Sequence, residues 1–308
     1  MKKNELTVKK IEDDLKQGLA GLYDKNEADH LIGLLFSHFT GWNRAEVKIR
    51  GEELLSGECA DKLYAALEDL RGFKPVQYII GNTWFCGLEL KVTPDALIPR
   101  PETEELAEMV IRENIQFQLQ EISILDIGTG TGCLALALKK KFPYALVEAI
   151  DNDPAALALS AENAAGNGLK IGFRKLDILD RTERDLLPGY QVIVSNPPYV
   201  TCSEKRLMKA NVLNYEPHQA LFVPDDDPLL YYKAIGDFAF KHLIRPGTLY
   251  VEINERFGTE VKKLFLGMGF DRAEVIKDLY GKDRFVRAEA VYVMADTSYW
   301  MVADNQIP

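Results

Sequence analysis

Ser123-Ile124-Leu125-Asp126-Ile127 runs directly into Gly128-Thr129-Gly130-Thr131-Gly132, and helical spacing resumes near Cys133. A short apolar run closed by turn residues reads as a buried strand. Glycines at a strand-to-helix turn reach φ > 0 without strain and let the backbone approach a ligand closely. Further strand-like runs lie near 146–151, 171–176, 191–195, 248–253, 272–277 and 285–293. Helix-like segments fall between them near 131–141, 154–165, 229–242 and 257–268. Such alternation predicts an α/β domain: a mainly parallel, seven-stranded, Rossmann-like sheet with helices on both faces.

Upstream the pattern changes. From about residue 5 to 72 the apolar positions are helical: Ile11, Leu15 and Leu19, then Leu31, Leu34 and Leu35 before a break at Thr40-Gly41, then Leu63, Ala66 and Leu70, closed by Gly72. This is a small all-α N-terminal bundle. Lys74-Pro75 breaks the pattern, and the runs Gln77-Tyr78-Ile79-Ile80 and Leu88-Glu89-Leu90-Lys91-Val92 read as the two strands of a hairpin. The expected organisation is a helical domain over 1–73, a hairpin linker over 74–105, the α/β domain over 106–295 and a peripheral tail over 296–308.

Composition narrows the function classes. The chain has 308 residues, 47% hydrophobic and 27% charged, as expected of an ordinary globular protein. No apolar stretch approaches the ~18 residues of a membrane span, and the charged start MKKNELTVKK has no apolar signal core, so a cytoplasmic chain is expected. A net charge of −10 with no Lys/Arg-rich stripe argues against a protein built to grip phosphate backbones. Cys59, Cys86, Cys133 and Cys202 lie far apart without a CxxC pair or a nearby His cluster, which argues against disulfides and structural zinc.

The glycine loop alone leaves the cofactor open. Gly130-x-Gly132-x-x-Ala135 formally satisfies the dinucleotide fingerprint, so a nicotinamide cofactor has to be considered. Asp151 ends the next strand about 20 residues on, where an acidic side chain accepts from both ribose hydroxyls; the plain alternative is a capping or surface carboxylate. Asp153-Pro154 then starts a helix, as N-cap and first helical position. The pair indicates an adenosine-containing cofactor without saying which.

Gln191-Val192-Ile193-Val194-Ser195 delivers Asn196-Pro197-Pro198-Tyr199 at the carboxyl end of a strand, the edge where open α/β sheets bind ligands. Two prolines fix φ near −65° and remove two backbone donors. Asn196 adds a side-chain carbonyl and Tyr199 a flat ring, giving a rigid acceptor clamp for an –NH2 group. The plain alternative is a turn that merely ends a strand. An amide or aromatic amine has a delocalised lone pair; two acceptors, the Asn196 side chain and the Pro197 carbonyl, can hold both N–H groups and aim that lone pair. Positive charge develops on the nitrogen during attack, and the same dipoles stabilise it. The electrophile that suits this is a sulfonium methyl. A dehydrogenase would need a proton-handling His or Lys instead, and His30, His38, His218 and His242 are poorly placed for that.

These motifs together resemble the N5-glutamine methyltransferases that act on peptide chain release factors, within the class I S-adenosylmethionine-dependent methyltransferases. The resemblance spans nearly the whole chain. It includes Pro75 to Gly81, Leu97 to Glu104, Asp126 to Gly132, Asn196 to Val200, Tyr215-Glu216-Pro217 and Lys277 to Arg284. The Asn-Pro-Pro-Tyr loop is shared with adenine-N6 methyltransferases; the Ile98 to Glu104 segment with the helical domain is more specific. The resemblance implies that Gly128, Thr129, Gly130, Thr131 and Gly132 line the methionine part of S-adenosylmethionine, with Asp151 on its ribose and Asp177 and Ile178 beside its adenine. Arg100, Pro101 and Thr103 would close over the cofactor, and Asn196, Pro197, Pro198 and Tyr199 would be the catalytic clamp on the glutamine of a Gly-Gly-Gln loop. For Arg100 the plain alternative is an ion pair with Glu102 or Glu104, and for Asp177 a helix-cap or surface role. The chain departs from the family after Ala220-Leu221, where Phe222 to Pro228 replaces a common pair of glycines, and in its extended tail.

Three functions are in play: a release-factor glutamine methyltransferase, an adenine-N6 methyltransferase of nucleic acid, and a cofactor-binding docking protein without catalysis. The acidic balance lowers the second, because phosphate neutralisation supplies most of such binding. The intact clamp lowers the third.

Overall fold

The computed structural model describes residues 6–291, so the expected tail over 296–308 lies outside the described residues. Four helices open the chain: α1 (Val8–Leu19), α2 (Lys25–Thr40), α3 (Arg44–Ile49) and α4 (Gly57–Arg71). Each begins where a side chain takes up orphan backbone N–H groups: Thr7, Asp24, Asn43 in a capping box with Glu46, and Ser56. Their apolar faces, including Ile11, Leu15, Leu19, Leu35, Leu63 and Leu70, close on one another as a separate core.

The hairpin differs from the expectation. Val76–Ile80 is a short helix, α5, set between Pro75 at its N-cap and Gly81 in the left-handed region (φ 80°) at its C-cap. The strands are β1 (Asn82–Phe85) and β2 (Leu88–Lys91), paired antiparallel. An apolar run of this length has no period to separate strand from helix, and the flanking proline and glycine tip it to a helical turn. Asn163 fastens β2 to the α/β core, accepting from the Lys91 N–H (2.7 Å) and donating to the Lys91 carbonyl (3.0 Å).

The remaining elements are α6 (Pro101–Glu113), β3 (Ser123–Ile127), α7 (Cys133–Lys141), β4 (Leu146–Asp151), α8 (Pro154–Gly166), β5 (Gly172–Lys175), α9 (Arg181–Arg184), β6 (Tyr190–Ser195), β7 (Val200–Thr201), α10 (Ala210–Tyr215), β8 (Phe222–Val223), α11 (Leu230–His242), β9 (Leu243–Glu252), α12 (Gly258–Met268), β10 (Arg272–Lys277) and β11 (Asp283–Ala290). Helix α6 was not anticipated and runs across residue 106. The main sheet has seven strands in the order β10-β11-β9-β6-β3-β4-β5. It is parallel except at β11, which is antiparallel to both its neighbours. One face packs under α6 and α7, the other under α11 and α12.

Chain direction of growth reverses between β3 and β6, the switch point where such sheets open a crevice at their carboxyl ends. The register fixes what stands there. Val251, Ser195, Ile127 and Ile150 form one row across β9, β6, β3 and β4. The next residues, Glu252, Asn196, Gly128 and Asp151, therefore form the rim.

Gly132 turns the loop into α7 with φ 84°, and a Cβ there would sit 3.0 Å from the Ser160 Cβ. Gly132→Ala is expected to cost about 1–3 kcal/mol from left-handed strain plus overpacking. A fall in the urea midpoint at unchanged slope would show it.

Candidate active site

The rim bounds a cleft of about 1010 Å³, open to solvent at its mouth, between the glycine loop, the ends of β4, β5 and β6, and the segment before α6. Gly128, Gly130 and Gly132 all have positive φ (71°, 55° and 84°). A Cβ on Gly128 would meet nothing within 4 Å and one on Gly130 only the Ala96 Cβ at 3.9 Å, so side chains there would project into space that a ligand can use. Thr129 Oγ1 donates to the buried Asp126 carboxylate (2.6 Å), and Asn163 donates to the Thr131 carbonyl (2.9 Å). These two contacts hold the loop from behind.

Asp151 lies at the cleft wall. Its two oxygens accept from the Gly130 N–H (2.9 Å) and the Asp153 N–H (3.0 Å), which aims the carboxylate while leaving further lone pairs. Burial raises its pKa, and those backbone donors oppose the rise. Asp153 caps α8 as expected (2.8 Å to the Ala155 N–H) and also accepts from Gln219 (2.5 Å). Asp177 and Ile178 follow β5 and line the cleft; Asp177 also accepts from the Leu179 N–H (2.9 Å), so it makes a local turn as well.

The segment before α6 sorts differently from the expectation. Arg100 and Thr103 line the cleft, as do Leu97, Ile98 and Pro99, whereas Pro101 occupies the first turn of α6 and is not part of the lining. Arg100 does form an ion pair, but with Glu216 (2.6 Å) rather than Glu102 or Glu104. Glu104 is engaged with the Cys86 N–H of the hairpin turn (2.5 Å). The Glu216 side chain is 1% exposed and also accepts from the Ile98 N–H (3.3 Å), tying the α10 end to this segment.

Asn196, Pro197 and Pro198 form the cleft wall after β6. Beyond Asn196 and Pro197 lies a second, smaller pocket of about 290 Å³, lined also by Leu97, Arg100, Tyr199, Val200, Ala220 and Leu221. The departing loop after Leu221 is anchored here: β8 pairs parallel with β7, with the Val200 N–H on the Leu221 carbonyl (2.9 Å). Asn196 Nδ2 donates inward to Thr103 Oγ1 (2.9 Å). Thr103 Oγ1 donates to one oxygen of Glu252 (2.7 Å), and the Tyr199 hydroxyl donates to the other (2.9 Å). Burial pushes the Glu252 carboxyl up to about 7 and raises the Tyr199 phenol far above its usual range. His218 packs edge-on against Phe222 and bonds the Leu213 carbonyl (2.9 Å), outside the cleft lining.

Sequence reasoning passed over Glu252, Glu216 as the partner of Arg100, Gln219 and Tyr231, the last two also in the lining. An acidic residue closing the apolar run Leu249-Tyr250-Val251 was the available signal for Glu252.

The donor set suits a cation. Four carboxylates, Asp95, Asp151, Asp153 and Asp177, line the cleft against one basic side chain, Arg100, whose charge Glu216 already meets. A dinucleotide's pyrophosphate would find no free cation among these lining residues. A sulfonium and an ammonium fit the acidic lining, and the glycine cradle admits a chain-like group close to the backbone.

Comparison with known proteins agrees. Residues 107–221 match the family described as methyltransferase small domain, and residues 15–81 match the PrmC N-terminal domain. A release factor glutamine methyltransferase of Flavobacterium psychrophilum is 40% identical over 283 residues, covering 92% of this chain and 99% of the relative. One of Bacteroides thetaiotaomicron is 38% identical over 278 residues, covering 89% and 97%. Among solved structures, a protein-(glutamine-N5) methyltransferase (release factor-specific) from Alicyclobacillus acidocaldarius has 26% identity and a TM-score of 0.38, covering 66% of this chain and 100% of that one. Sheet order, rim and cleft chemistry define an S-adenosylmethionine-dependent methyltransferase of the class I fold. The two sequence relatives narrow the class further: the chain belongs to the release factor glutamine methyltransferase family.

Proposed function

We propose that the chain methylates the side-chain amide nitrogen (N5) of the glutamine in the Gly-Gly-Gln loop of peptide chain release factors, using S-adenosylmethionine. When bound, the cofactor supplies an electrophilic methyl group on a sulfonium. Gly128 to Gly132 would hold its methionine part, Asp151 the ribose hydroxyls, and Asp177 and Ile178 the adenine side. Arg100 and Thr103 would bound the reactive end, with Pro101 contributing only by starting α6.

The observation that carries the reading is the inward commitment of Asn196 Nδ2 to Thr103, which leaves Oδ1 as the end free for a ligand on the wall between the two pockets. There Oδ1 and the Pro197 carbonyl take the two N–H groups of a carboxamide entering by the smaller pocket. Both dipoles favour the positive charge that grows on nitrogen, and fixing the nitrogen in line is worth at most roughly 7–11 kcal/mol. The amide needs no prior deprotonation, because its proton becomes acidic only as the new bond forms. Release factors work at the ribosome, so we place the activity in the cytoplasm; neither nucleic acid, membrane nor metal enters this reading. Among the described residues no helix is long and apolar enough to cross a bilayer.

Incubation with methyl-labelled cofactor tests the proposal in three arms: release factor, the same factor with its loop glutamine changed to alanine, and unmethylated DNA. Label on the intact factor alone is expected. Label on DNA would favour an adenine-N6 enzyme, and no label in any arm a docking protein.

A further inference from the structure

We infer that Glu252, which lies outside the glycine and Asn-Pro-Pro-Tyr motifs, is a positioning residue: acting through Thr103, it determines which end of the Asn196 amide faces the substrate. The inference rests on the reading of Asn196 as the amide acceptor. Its basis is polarity. An ionised carboxylate has lone pairs and no donor. Thr103 Oγ1, 2.7 Å from Glu252, must therefore spend its one hydrogen on that oxygen. The threonine oxygen can then only accept from the far side, and Asn196 meets it with Nδ2 at 2.9 Å. Nothing in the shape of an amide distinguishes its two ends; the network does. With the –NH2 end held inside, the carbonyl end is the one presented outward.

The arrangement is built to be rigid. Glu252 is 1% exposed and Thr103 2% exposed. Glu252 stands beside Asn196 on the rim because Val251 and Ser195 are register partners on adjacent strands. Its second oxygen accepts from the Tyr199 hydroxyl, so one carboxylate braces both ends of the clamp loop. The charged and titratable groups around it are Glu102 on α6, Tyr199 after β6, Tyr232 on α11 and Arg284 on β11.

Glutamine at 252 reverses the relay. Its amide can accept from only one of its two partners. The buried Tyr199 hydroxyl would be stranded if the –NH2 end turned towards it, which costs more than turning that end to Thr103. Thr103 then donates to Asn196 Oδ1, and Nδ2 swings outward to confront the N–H groups of the substrate. A protonated Glu252 acts in the same way. Because burial lifts this carboxyl to about 7, the acceptor-only form fills as pH rises through that value and empties below it.

The test measures kcat, cofactor Kd and pH profile with release factor and S-adenosylmethionine. Glu252→Gln is expected to lose about 100-fold in kcat, the scale of one misdirected electrostatic contact, at unchanged cofactor Kd. The acid limb near pH 7 expected of wild type should be absent from that variant. Thr103→Val, which frees Asn196 to turn either way, should lose about tenfold, one hydrogen bond's worth, and Thr103→Ser should recover most of it. Wild-type kcat in Glu252→Gln alongside a crippled Asn196→Ala overturns the inference and leaves the function standing. A fully active Asn196→Ala removes Asn196 as the amide acceptor, and with it the reading on which the inference rests. Should Glu252→Gln fail to fold, equal rates for Thr103→Val and Thr103→Ser overturn the inference, and the expected difference between them supports it.

Discussion

Asn196→Ala is expected to bind S-adenosylmethionine nearly as well as wild type and to methylate release factor about 10²–10³-fold more slowly. The asymmetry follows from the geometry. Asn196 is held by Thr103 on one side and borders both pockets on the other, so under the proposed function its free oxygen is spent on the entering amide rather than on the bulk of the cofactor. Alanine keeps the proline-stiffened backbone and the Pro197 carbonyl, but one of two acceptors is gone and the nitrogen is no longer aimed. Thr103 loses a donor yet keeps its bond to Glu252, so the fold should hold. Calorimetric cofactor binding beside single-turnover methylation separates the two effects. Turnover close to wild type would remove Asn196 from the mechanism.

Asp151→Ala should act on the opposite parameter, raising the cofactor Kd about 100-fold or more while kcat at saturating cofactor changes little. Hydrogen bonds to a charged group are each worth about 1.5–3 kcal/mol, and about 1.4 kcal/mol is tenfold in affinity; losing even one ribose contact and part of a second reaches that size. The substitution also releases the Gly130 and Asp153 N–H groups, so the glycine loop loosens at the place where the proposed function puts the cofactor's methionine part. Titration of cofactor into the variant is the check. An unaltered Kd would remove Asp151 from cofactor binding and leave the plain alternative, a capping or surface carboxylate.

The sheet and the rim of the cleft were legible because their signals are local. Apolar runs ending in glycine or proline mark strand ends, and strand ends are where an open parallel sheet binds ligands. Gly128 to Gly132, Asp151 and Asn196 could thus be placed from spacing before any coordinates. The misreading of Gln77–Ile80 as a strand, where helix Val76–Ile80 stands, shows the limit of that approach: a run shorter than two helical turns carries no period, and its flanks decided it. Helix α6 was hidden in the same way behind Pro99-Arg100-Pro101, where Pro101 starts the helix rather than interrupting one.

Partnerships across the fold were beyond reach. Arg100 invited pairing with Glu102 or Glu104, which are near in sequence, but as the N-cap residue it points back towards Glu216, 116 positions away. Thr103 and Glu252 are separated by 149 positions and meet only because α6 lies over the edge of β9. No periodicity encodes such contacts. A carboxylate at the buried end of a strand is the trace they leave, since it must find donors somewhere.

A crystal structure with S-adenosylhomocysteine and a glutamine-bearing release factor loop bound together tests the central claim most directly. The account predicts the glutamine amide nitrogen within hydrogen-bond distance of both Asn196 Oδ1 and the Pro197 carbonyl, facing the sulfur, with Nδ2 still on Thr103. A glutamine side chain seated elsewhere, or Asn196 presenting its –NH2 end to the substrate, would contradict it.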